Sequence, residues 1–243
     1  LPNDSTLFCS SSSVNTKLSD ATNMLFYRDG KTASIAVYEM GAGPGRSKAM
    51  AISTNGKVDA GLTASMKDEP RPDESTMMLA AALPLALKDK IETVGVIGFG
   101  SGLTTHTLLG THRVGQVDTV DIEPMMVEGA RLFGDRVNRA YDDPRSHLIF
   151  DDAKSYFSSA RKRYDVIISE PSNPWMGGTA ALFSTEFYKF VPRHLKDDRL
   201  LAQWLQLYEI NPTLVSSVLT AMLPQFNAAH LYLANTGQLS MGA

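Results

Sequence analysis

The residues Gly98-Phe99-Gly100-Ser101-Gly102 follow an apolar run containing Val94, Val96 and Ile97, and a second apolar run, Val117–Val120, ends in Asp121-Ile122. Glycines between a strand and a helix let the backbone pass close to a ligand. An acid at the tip of the next strand can accept both hydrogen bonds of a vicinal diol. Together they point to a bound nucleoside, with Gly98, Gly100, Ser101, Gly102, Asp121 and Ile122 around it. The plain alternative is a tight turn whose glycines only supply positive φ, and an acid solvated beside Pro124. Position 103 is Leu, so the dinucleotide pattern G-x-G-x-x-G is not completed. The shorter turn is more typical of S-adenosylmethionine-type sheets than of NAD enzymes.

Two further strand ends carry polar groups. Asp151-Asp152-Ala153 follows the run His147–Phe150, and Glu170-Pro171-Ser172-Asn173-Pro174-Trp175 follows Tyr164–Ser169. Asp152 can accept from an adenine amino group or cap the helix that begins at Ala153, and both roles are compatible. Glu170 sits directly after a buried strand, in a segment stiffened by two prolines. It can act as a general base toward an amine, hold a cation by charge, or be a structural loop acid. Trp175 can stack on a ligand or belong to the core. Acids near the N-terminal hairpins, Asp20, Asp59, Asp73 and Glu74, read mostly as solvated. The five histidines show no ligand spacing, so no metal site is expected.

The elements that must position these groups form an alternating pattern. From Met24 the chain is β-like, with Asp29-Gly30 and Asn55-Gly56 as hairpin turns. Helix-length patterns then separate strands at Thr93–Ile97, Val117–Asp121, His147–Phe150, Tyr164–Ser169, Leu200–Leu205 and His230–Ala234. The fold class is α/β: a doubly wound, Rossmann-like sheet of S-adenosylmethionine type, preceded by a small antiparallel β domain. The expected division is a polar linker over 1–23, a β-hairpin domain over 24–62, and a nucleoside-binding domain over 63–243. Residues 66–74 read as a loop and Thr76–Leu87 as a helix.

Composition narrows the partners. A net charge of −3 gives no nucleic-acid footprint, and one cysteine, Cys9, allows no disulfide within the chain. No apolar run is long enough to span a bilayer. The polar start at Leu1 suggests a domain cut from a longer protein.

The sequence resembles the spermidine synthase (polyamine aminopropyltransferase) family over roughly residues 24–240. The segments that carry the likeness are Asn55–Asp59, Leu83-Pro84-Leu85, Val96–Gly102, Val120–Glu123, Tyr164–Trp175, Leu182–Tyr188, Gln203-Trp204-Leu205 and Leu207-Tyr208-Glu209. The nearest branch looks like the bacterial spermidine-synthase-like proteins, some of which carry an N-terminal membrane-spanning region. The resemblance implies a transferase that uses decarboxylated S-adenosylmethionine as co-substrate, without a metal, and alkylates a small-molecule amine. It implies Asp121 on the ribose, Asp152 beside the adenine amino group, and Glu170 at the family's catalytic Asp. Asn173, Trp175 and Asp59 would face the amine. By analogy it implies a homodimer and a cytoplasmic domain, tethered to the inner membrane if a membrane region lies outside this sequence.

Three positions depart from the family pattern. Ser101 stands where the glycine turn usually holds an Asp, Asn173 where a second loop Asp holds the polyamine, and Met77 where the helix before the first strand has Gln. Polyamine ammonium groups are costly to desolvate without carboxylate partners. Loss of the Asp at 101 would also tolerate the carboxylate of ordinary S-adenosylmethionine. A methyltransferase on the same scaffold, or a nucleoside-binding module without catalysis, are therefore the competing expectations.

Overall fold

The protein is described from a computed structural model, in which residues 4–10, 21–41, 47–172, 178–207 and 211–235 are placed. In chain order the strands are β1 (Asp4–Ser10), β2 (Ala21–Asp29), β3 (Ser34–Met40), β4 (Ala49–Thr54), β5 (Lys57–Thr63), β6 (Ile91–Ile97), β7 (Val114–Asp121), β8 (Ser146–Phe150), β9 (Tyr164–Ser169), β10 (Leu195–Gln206) and β11 (Ala228–Asn235). The helices are α1 (Pro72–Leu87), α2 (Leu103–Leu108), α3 (Pro124–Ala130), α4 (Arg139–Asp142), α5 (Ala153–Ala160), α6 (Thr185–Phe190) and α7 (Pro212–Met222).

Strands β2-β3-β4-β5 form an antiparallel sheet in that order. The other seven form a second sheet in the order β11-β1-β10-β9-β6-β7-β8, with every neighbouring pair parallel. The chain runs outward through β6, β7 and β8, then returns to lay β9 beside β6. The crevice for a ligand lies at that reversal, beyond the carboxyl ends of β6 and β9.

Central strands covered on both faces must be apolar throughout. Val94, Val96, Val166, Ile168 and Leu200 pack with Ala80 and Ala81 of α1 and Leu108 of α2. Ile97, Ile167, Leu201 and Leu205 face Phe157 of α5, Phe187 and Tyr188 of α6, and Val218 and Met222 of α7. The small sheet lays Ile35, Val37 and Ile52 on Met126, Val127 and Ala130 of α3, together with Phe99 and Leu103 from the glycine turn. The hairpin domain thus packs directly on the elements that carry the site.

The span 1–23 departs from its reading as a linker. Residues 4–10 are β1, paired on both edges with β10 and β11, and β2 begins at Ala21. A parallel ladder joins backbone groups, so a Ser- and Thr-rich composition does not prevent it. Helix α1 also begins earlier than its apolar pattern, at Pro72. Proline is tolerated in the first turn, and Arg71 N–H donates to Glu74 Oε1 at 3.2 Å.

Glu123, only 4% exposed, joins the two sheets. Its Oε2 accepts from Thr32 N–H at 2.6 Å, Thr32 Oγ1 at 2.9 Å and Ala33 N–H at 3.2 Å, while Oε1 accepts from Met125 N–H at 3.0 Å. A Cβ on Gly30 would lie 2.0 Å from that carboxylate, so the hairpin turn can come this close only without a side chain. A second junction is the buried Glu74 carboxylate. It accepts from Thr63 N–H at 2.6 Å and pairs with Arg136, whose guanidinium also reaches Thr63 O at 2.9 Å. Glu123→Ala should lower stability by about 2–3 kcal/mol, because three backbone N–H groups, of Thr32, Ala33 and Met125, lose their acceptor. Urea unfolding measures this, and Glu123→Gln, which keeps one acceptor oxygen, should lose less.

Candidate active site

A cavity of about 600 Å³ opens at the carboxyl ends of β6, β7 and β9 and is closed on one side by β4 and β5. Its floor is a contact between two turns. Gly98 N–H donates to Val120 O at 2.9 Å, and Glu170 N–H donates to Ile97 O at 2.9 Å. Gly98 has φ 93°, and a Cβ there would stand 2.6 Å from Glu170 O. Only glycine lets the β6 turn meet the segment after β9.

Asp121 ties the glycine turn to its own strand end. Its Oδ2 accepts from Phe99 N–H at 2.8 Å and its Oδ1 from Glu123 N–H at 2.8 Å. Each oxygen keeps one lone pair for a ligand. Burial raises its pKa to about 6 against those two hydrogen bonds, and nearby Asp59 and Glu123 add to the rise. Burial likewise raises Glu170 to about 7, opposed by the Thr104 hydroxyl. Asp73 is raised to about 6 by burial, opposed by the charge of Arg71 and the N–H of Gly61. Asp59 is also raised by burial, against hydrogen bonds from Thr54 and Ser172. Seven lining residues are Asp or Glu and one, Lys154, is basic. Four desolvated carboxyls in one cavity make an environment that favours a cation.

The structure brings together Gly98, Gly100, Asp121, Ile122, Asp152, Ala153, Glu170 and Asp59 around this cavity. Asp152 caps α5, accepting from Ser155 N–H at 2.9 Å, and lines the cavity as well. Ser101 and Gly102 are placed differently. Ser101 is fully buried and its hydroxyl donates to Met77 Sδ at 3.2 Å, so Met77, not Ser101, borders the cavity. Gly102 starts α2 at φ 84° and lies against the Phe99 ring. Asn173 and Trp175 lie outside the described residues. Among the described residues no group of three or more His, Cys, Asp or Glu could hold a metal ion, and no helix is long and apolar enough to cross a membrane.

Asp73, which the sequence reads as mostly solvated, lines the cavity, as do Trp204 and Gln206, which sequence reasoning missed. Asp73 was readable: it follows Pro72 and precedes Glu74, the pattern of a first helical turn. Trp204 and Gln206 sit at the carboxyl end of a parallel strand, where that topology places ligand contacts.

Residues 75–242 match the family described as the spermine/spermidine synthase domain. The chain belongs to this family. Relatives include the polyamine aminopropyltransferases of Clostridioides difficile strain 630, 36% identical over 120 residues, and of Clostridium perfringens strain 13, 33% identical over 119 residues. Each alignment covers 49% of this chain and 42% of the relative, so the chain spans less than half of those proteins in alignment. The spermidine synthase of Thermotoga maritima superposes with a TM-score of 0.70 at 20% identity, covering 85% of this chain and 65% of that one. A spermidine synthase in complex with the transition-state analogue AdoDATO gives 0.69, covering 85% and 66%. From β2 onward, a small antiparallel sheet followed by a Rossmann-like sheet is thus the architecture of this chain, with β1 added to the large sheet.

Two stability outcomes follow from the family site as built here. Gly98→Ala should cost about 2 kcal/mol or more, from strain at positive φ and the clash with Glu170 O. Gly100→Ala, where an added Cβ meets nothing, should cost less, and denaturant midpoints compare them. Glu170 is protonated in the folded chain up to about pH 7, whereas the unfolded chain releases that proton in the ordinary carboxylate range. The unfolded state then binds fewer protons, so this group lowers stability as pH rises through that window. Glu170→Gln should therefore raise the melting temperature at pH 8, by about 2 kcal/mol of stability, and leave it nearly unchanged at pH 4.

Proposed function

We propose that this chain is the catalytic domain of an aminopropyltransferase, moving an aminopropyl group from decarboxylated S-adenosylmethionine to a polyamine nitrogen. The observation that carries the reading is the cavity wall of seven acids and one lysine, with a glycine turn and Asp121 at one end and desolvated Glu170 beside them. The Asp121 carboxylate accepts from the ribose diol through its two free lone pairs. The exposed Ile122 side chain offers an apolar face to the base, and Asp152 an acceptor for its amino group. The polyamine aminopropyltransferase names of the relatives support the same assignment.

The reaction needs alignment and one proton acceptor. The amine lone pair attacks the carbon next to the sulfonium, a C–N bond forms, and the C–S bond breaks with its electrons going to sulfur. The product is a neutral thioether, and the proton leaving nitrogen passes to the Glu170 carboxylate. A base with pKa near 7 both accepts that proton and releases it to water at neutral pH. The acid-rich wall holds the cationic donor and acceptor and disfavours a donor that carries a carboxylate.

Three measurements test this. Calorimetric titration should give tighter binding of decarboxylated than of ordinary S-adenosylmethionine at pH 7.5. The reverse preference would move the assignment to a methyltransferase. Glu170→Gln should lower kcat by roughly 10²–10⁴-fold, whereas full turnover in that variant would remove Glu170 from catalysis. Nucleoside affinity should weaken as pH falls through about 6, where Asp121 takes up a proton, and kcat should rise as pH passes about 7, where Glu170 loses one.

A further inference from the structure

Asp59 lies on β5, in the small sheet, yet its carboxylate engages the segment that carries Glu170. Ile52 pairs with Ala60 and Ser53 with Val58, so Asp59 is the extra residue of a β-bulge with no partner across the ladder. A bulge re-aims a side chain that regular alternation would point elsewhere. Here the carboxylate lines the cavity, with Oδ2 accepting from Thr54 Oγ1 and Oδ1 from Ser172 Oγ at 2.9 Å. Ser172 is 113 positions away in sequence.

The segment from Glu170 to Ser172 is thereby pinned at both ends. At one end Glu170 N–H donates to Ile97 O in the large sheet, and at the other Ser172 Oγ donates to Asp59 in the small sheet. Between them stands Pro171, whose ring fixes φ and which has no N–H to form a competing bond. From this geometry we infer that Asp59 and Ser172 are positioning residues, a latch between the two sheets that fixes the Glu170 carboxyl for proton transfer. Asp59 acts on the position of Glu170 through its bond to Ser172, two residues along the same segment.

The inference rests on the reading of Glu170 as the base. Its test uses the full chain with Ser172→Ala and Ser172→Thr. Ser172→Ala should lower kcat roughly 10- to 100-fold, the scale expected for a base displaced by about 1 Å. The affinity for decarboxylated S-adenosylmethionine should stay within about twofold, because the glycine turn and Asp121 are untouched. Ser172→Thr, which keeps the hydroxyl, should recover most of the turnover. Amide exchange at Glu170 should quicken in Ser172→Ala while exchange in β6 and β7 does not change. An unaltered kcat in Ser172→Ala overturns the inference, and so does a loss of nucleoside affinity as large as the loss of turnover. If the wild-type chain transfers no aminopropyl group, the functional reading fails on its own. The latch is then judged by amide exchange, and unchanged exchange at Glu170 overturns it.

Discussion

The contact on which the rest of this structure depends is the one between the β6 turn and the segment after β9. With a Cβ at position 98, the Glu170 carbonyl would have to retreat from 2.6 Å by most of an ångström to reach ordinary contact. That movement would part the glycine-turn end of the cavity from the Glu170 segment. The parallel sheet makes β6 and β9 neighbours, but sheet spacing alone leaves their turns free to splay. The missing side chain lets them close, and the bonds Gly98 N–H to Val120 O and Glu170 N–H to Ile97 O hold them there. Asp121 extends the junction by accepting from the turn at Phe99 and from its own strand end at Glu123.

Carboxyls arranged this way are costly to ionise. Asp121, Asp73, Asp59 and Glu170 are all raised by burial, and the charge of Asp59 adds to the rise at Asp121. By contrast, acids that serve structure are matched. Burial alone would raise Glu123, but hydrogen bonds from Thr32, Met125 and Ala33 hold it below its ordinary value. Asp118 likewise ends lowered, through Lys162, Tyr164 and Gln116. The difference lies in their partners: Glu123, which also borders the cavity, and Asp118 each accept four hydrogen bonds, whereas Asp121 accepts two. A cation placed among those carboxyls would favour their ionised forms.

Much of this was legible in the sequence because it rests on local chemistry. The glycine turn, the acid ending β7, the Asn55-Gly56 hairpin and the cap at Asp152 are short-range patterns with specific backbone demands. The structure shows Asn55 and Gly56 both at positive φ, as such a turn requires. What was not legible depends on pairing across long separations. No pattern in residues 4–10 announces a strand, because its place is set by the edges of β10 and β11. Asp59 read as one more solvated acid in its own surroundings, since a one-residue bulge is invisible until both strands are laid side by side. Ser101 reads as a ligand group by its position in the turn, yet its hydroxyl turns inward to Met77, a neighbour from α1 that the turn itself does not specify.

The placement of Ser101 and Met77 bears on how the cavity keeps its charge. The resemblance leads one to expect a carboxylate on the glycine turn, and this chain has there a buried hydroxyl covered by a thioether. The same cavity receives carboxyls from other elements, Asp59 from the bulge in β5 and Asp73 from the first turn of α1. Asp73 and Met77 are four residues apart on α1, so they lie on one face of that helix, a turn from one another. Electrostatic potential in a desolvated pocket is a sum over all its charges and is less sensitive to which element supplies each one than a hydrogen bond would be. A turn acid can then be lost without making the pocket neutral, provided the hairpin domain and α1 stay docked. Glu123 on Thr32 and Ala33, and Glu74 on Arg136 and Thr63, hold that docking. The small sheet is in this sense part of the candidate site: it closes one side of the cavity, supplies Asp59 to it, and through that residue bonds Ser172 in the segment that carries Glu170.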